Sequence, residues 1–164
     1  MKVLKKMAAL MMVLCLVIST AACVPTATTE EEETTAMIAN PIKDFDTLAE
    51  AVADSGTSLI VSDALGMMEP AYSTIGQVVQ VIYMDGDNEI CIRKAPGNQD
   101  VSGDYNEYAV NKMIEVGETF VTVKGNTEGS WNVILWLSEE ATYSVTSTLG
   151  VDDAMVNALV TGVQ

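Results

Sequence analysis

Between Gly97 and Tyr108 the chain gathers Asp100, Asp104, Asn106 and Glu107, with Tyr105 and Tyr108 among them. Carboxylate and amide oxygens at this density are ligands for a hard cation such as calcium, and the tyrosines offer a glycan or peptide rigid contact area. The spacing does not match an EF-hand loop. Asp85-Gly86-Asp87-Asn88-Glu89 fails the same test, because Ile90 stands where that loop needs glycine. Turns that satisfy their own backbone through Asx side chains are the simpler reading of the acidic segment. It is a candidate binding loop, with no metal or other cofactor expected.

Other reactive groups form no constellation. The chain has no histidine, which removes the commonest general base and metal ligand. Ser55, Ser58, Ser62 and Ser102 sit in neither a Gly-x-Ser-x-Gly elbow nor a Ser-x-x-Lys motif. Met67 and Met68 lack the second methionine pair or histidine that a copper site needs. No residue is given a catalytic role. Paired carboxylates are abundant, so a small envelope hydrolase using two of them is the alternative to a non-catalytic domain.

One residue has a chemistry set by its surroundings. Lys2, Lys5 and Lys6 precede the apolar run from Met7 to Ile18, and Thr20-Ala21-Ala22-Cys23 follows. A basic start, a short apolar core and small residues before a cut make an export leader, and the run is too short to span a bilayer comfortably. The last four residues resemble the bacterial lipobox, with Thr20 where leucine is commonest. Cys23 is therefore the expected lipidation site, its thiol taking a diacylglyceryl group and palmitate-like chains after removal of residues 1–22. Each buried methylene contributes about 0.8 kcal/mol, and two chains hold a protein on a membrane where one does so marginally. The expected place is the outer face of the cell membrane. Cleavage after Ala22 without lipid would give a secreted protein instead. Cys15 leaves with the leader, and Cys91, alone in an apolar strand pattern, reads as a small buried hydrophobe.

Residues 23–37 read as a tether, since Val24 to Thr35 holds Pro25, five threonines and the run Glu30 to Glu33. Without the leader, five basic residues face 23 acidic ones, a formal charge of −18. Such a surface repels nucleic acid and anionic headgroups, which leaves the lipid anchor and an unidentified envelope partner as the expected contacts.

Residues 38–164 are the right length for one domain. Asp44 suits a helix N-cap, Phe45, Leu48, Ala49 and Val52 recur at helical spacing, and Gly56 is the stop. A second helix is expected where Asp152 and Asp153 precede Met155, Val156, Leu159 and Val160. Between them, Thr57–Val61 is a short strand candidate. Three hairpins follow: Gln77–Met84 with Glu89–Lys94, Lys112–Val116 with Thr119–Lys124, and Trp131–Leu137 with Ala141–Ser147. Alternation puts Trp131, Val133, Leu135 and Leu137 on one face and Asn132, Ile134 and Trp136 on the other. The expected fold is α+β, an antiparallel sheet of about six strands built from successive hairpins, with both helices on one face.

Three segments carry a further resemblance: Asn40 to Phe45, Val81 to Lys94, and Val101 to Tyr108. Together they resemble a family of extracytoplasmic lipoproteins from Gram-positive bacteria whose domain has no assigned function. The resemblance implies an envelope location and the domain limits above. It brings no catalytic residue.

Overall fold

Thr47, not Asp44, caps the first helix. In the computed structural model, which describes residues 40–62, 66, 69–138 and 140–164, the Glu50 N–H donates to the Thr47 hydroxyl at 3.3 Å and the Thr47 N–H donates to the Glu50 carboxylate at 3.2 Å. This reciprocal cap contributes about 1 kcal/mol, and it starts α1 at Leu48–Ser55. Ile42–Phe45 is thereby left extended as β1. The leader, Cys23, the tether and the Met67–Met68 pair lie outside the described residues.

Seven more strands follow: β2 (Ala71–Ile75), β3 (Val78–Asp85), β4 (Asn88–Pro96), β5 (Val110–Val116), β6 (Thr119–Gly125), β7 (Trp131–Ser138) and β8 (Ala141–Val151), then α2 (Asp153–Gly162). Gly86 and Gly117, at φ 62° and 60°, supply the left-handed residue that the two-residue turns β3–β4 and β5–β6 require. The strands form one antiparallel sheet in the order β1-β2-β3-β4-β8-β7-β6-β5.

This corrects the expected fold. The sheet has eight strands, not about six, and it dominates a chain with only two helices of eight and ten residues among the described residues. Nor is it a single run of successive hairpins, because β8 pairs with β4 and so joins two four-stranded meanders, which puts β5 at the far edge. β1 was hidden by its helical spacing, and β2 by its brevity and its buried Ser73 and Thr74. Thr57–Val61 makes no strand. Val61 forms a single bridge to Val163, and Ile60 exchanges backbone hydrogen bonds of 2.7 and 2.9 Å with Gln164.

Cross-strand register defines two faces. Val79, Val81 and Tyr83 on β3 align with Ile90 and Ile92 on β4, then Val145, Ile134 and Val123 on successive strands. These residues form one core cluster with Ala51 of α1 and Val156, Leu159 and Val160 of α2. Burying a side chain of this kind contributes about 1.5–3 kcal/mol. The helices cover this inner face. The expected alternation along β7 fails at one point. A register shift between Trp131 and Val133 turns Trp131 inward beside Ile134 and Trp136, where its indole N–H donates to Asp153 at 2.6 Å and so ties β7 to α2. Val133, Leu135 and Leu137 keep the outer face.

A candidate binding groove on the outer face

The sheet order dictates where the acidic loop must run. β4 ends at Pro96 beside β8, while β5 begins at the far edge, so residues 97–109 cross the outer face over β8, β7 and β6. Several bonds hold this strap down. The Gly97 N–H donates to the Glu140 carbonyl at 2.7 Å, and the Thr142 hydroxyl donates to the Gly97 carbonyl at 2.8 Å. Arg93, on the outer face of β4, donates through Nη1 to the Ser102 and Val101 carbonyls and through Nε to Gln80 at 2.8 Å. Gln80 in turn donates to Ser73 at 2.6 Å. One row of polar groups thus runs from β2 across β3 and β4 into the strap, and along this outer face Ser73, Gln80, Cys91, Val133 and Ser144 are buried. Burial also pushes the Cys91 thiol up, away from the thiolate form that a nucleophile needs.

The six candidate loop residues lie together on this strap, and much of their chemistry is spent within it. Asp100 accepts the Ser102 N–H at 2.8 Å and lies 3.7 Å from Lys124. Partial burial raises its carboxyl, but the bonds from Ser102 and the Lys124 ammonium outweigh that and hold it below the ordinary value. Asp104 accepts the Asn106 N–H at 2.9 Å, the Asn106 amide at 3.2 Å and the Tyr108 hydroxyl at 2.9 Å. Burial first, then the Asp104 carboxylate, raises the Tyr108 phenol. Tyr105 stands 96 % exposed, and Glu107 is exposed. Tyr105 and Tyr108 are therefore in different environments and present no common aromatic surface. Among the described residues no three acidic or cysteine side chains are grouped so as to hold a metal ion.

Beside the start of the strap the outer face opens. A groove of about 600 Å³ is floored by Met113 of β5, Phe120 of β6, and Leu135 and Leu137 of β7, with Asp100 and Glu118 on its walls. Register sets Thr122 between Met113 and Leu135, and Phe120, opposite Glu115, lies diagonal to Met113 on the neighbouring strand. Met113, Phe120 and Leu137 are 66 %, 62 % and 57 % exposed. Large apolar side chains left in water and gathered in a concavity mark a contact surface. Of the expected site residues only Asp100 reaches it. The signal in the sequence was β7 itself, apolar on both faces where one covered face needs only alternate residues.

No family model, curated protein or solved structure matches this chain. The functional reading therefore rests on the chain's own geometry. Among the described residues no helix is long and apolar enough to cross a membrane.

Proposed function

We propose that this chain is a cell-envelope lipoprotein, held on the outer face of the membrane through Cys23, whose sheet domain binds a polypeptide partner without catalysis. The observation that carries the binding reading is the open groove. Its floor is apolar and exposed, which favours desolvating contact with a partner over proton transfer. The anchor reading rests on the leader and the Thr20-Ala21-Ala22-Cys23 motif, and the resemblance to extracytoplasmic lipoproteins agrees with it. A hydrolase would need one groove carboxyl kept protonated as general acid. Asp100 is instead held below its ordinary range, which suits an ion-pairing role.

Fractionation of cells expressing the full chain tests the anchor. The native protein should partition with membranes and incorporate labelled palmitate, and Cys23→Ala should move it into the medium without label. Equal membrane retention of Cys23→Ala would end the lipoprotein reading.

A further inference from the structure

Resting on the polypeptide-binding reading above, we propose that the occupant is an extended segment whose every second residue, the set facing the groove, is alternately apolar and basic, added to the sheet as a ninth strand along β5. The two edges of the sheet differ in kind. β1 has four residues, follows Pro41 and carries Lys43 and Asp44, with Lys43 held by Asp54 at 2.8 Å. Short, charged edges beside a proline are guarded against further pairing. β5 has seven residues and no proline, and it pairs with β6 in unbroken register from Val110 opposite Gly125 to Val116 opposite Thr119. Its outer row of N–H and C=O groups is therefore a straight template for another strand.

The open edge and the open groove meet at Met113. A strand laid beside β5 directs every second side chain onto the outer face, about 5 Å from Asn111, Met113 or Glu115. An apolar side chain beside Met113 extends the surface made with Phe120 and Leu137, and its neighbour two residues along faces Glu115. Glu115 and Glu118 make no ion pair among the described residues, and the groove lining includes no lysine or arginine. Basic residues in the partner complement this charge. The chain's own Glu30–Glu33 run and a second copy of so acidic a molecule both bring like charge to the same place.

The test uses the full-length protein and a fluorescein-labelled ten-residue peptide built on the repeat Leu-Thr-Lys-Thr, which sets leucine and lysine in turn along one face, read by anisotropy and by hydrogen exchange. Expected are micromolar binding and slowed exchange at Val110–Val116 but not at Ile42–Phe45. Two further copies, each N-methylated on one alternate set of backbone amides, should differ, one binding at least tenfold more weakly because pairing is blocked. A copy with glutamate for lysine, and the variant Phe120→Ser, should each lose at least tenfold. Equal binding by both methylated copies, or by the acidic copy, overturns the proposal, as does slowed exchange at β1 instead of β5. So does a dimer in light scattering that excludes the peptide. If Phe120→Ser weakens binding while methylation does nothing, strand addition falls and the groove reading stands. If none of the peptides binds, both fall.

Discussion

Along the path of residues 97–109 the outer face is closed, and around Met113, Phe120 and Leu137 it is open, although both regions belong to one sheet and both carry apolar side chains. Val133 under the strap is fully buried, whereas Leu137, four residues along the same strand, is 57 % exposed. The difference lies in a loop, not in the strands. Where residues 97–109 cross, the Arg93 side chain, steadied by Gln80, holds the strap by its Val101 and Ser102 carbonyls and the residues beneath are buried. Where they do not, the same alternation leaves a groove. A crossover demanded by strand order thus divides one face into a structural part and a part available for contact.

The sharpest way to break the contrast is to release the strap. Arg93→Ala removes the donor to the Ser102 carbonyl and to Gln80, leaving buried acceptors unpaired, and should lower stability by about 3 kcal/mol in urea unfolding. A change below about 1 kcal/mol would show that the strap rests on the sheet without holding it. A smaller effect is expected at Gly103, whose φ of 65° is left-handed and where an added Cβ would come within 2.6 Å of Arg93 Nη1. Gly103→Ala should cost about 1–2 kcal/mol and raise hydrogen exchange along the strap more than in β5 to β7. Smallest of all is the open side. Phe120→Ser with Leu137→Ser should together cost about 1 kcal/mol or less, since each side chain keeps more than half of its surface in water. A loss as large as that of Arg93→Ala would mean that the groove is part of the core.

Much of the strand content was legible because period-two alternation and glycine turns are local. β3, β4, β6 and β7 fall within a residue or two of their expected limits. The capping residue Asp152 and the helix after it were equally readable, its carboxylate accepting the Met155 N–H at 2.8 Å. β1 was not, because four residues with one helical-spacing coincidence carry too little pattern against the Thr47–Glu50 cap beside them. The bulge at Trp131 was also hidden. It reverses the face of one residue, and only the contact of its indole with Asp153, 22 positions away, shows why. The candidate loop was found for its oxygens, yet those of Asp100 and Asp104 accept hydrogen bonds within the loop itself, while the groove beside it took its shape from four side chains on three strands.

What the chain determines by itself is what neighbouring residues decide together: the basic start with its apolar run and the lipobox-like residues 20–23, the acidity, the turns, and which residues alternate. What only the tertiary structure decided is that β8 pairs with β4. That choice joins the two halves of the sheet at β4 and β8, sends residues 97–109 over one face and leaves Met113 at an open edge. Strand order depends on contacts between segments about 50 residues apart, as between Ile90 and Ser147, and the free energy of such pairings comes from packing that no local pattern encodes.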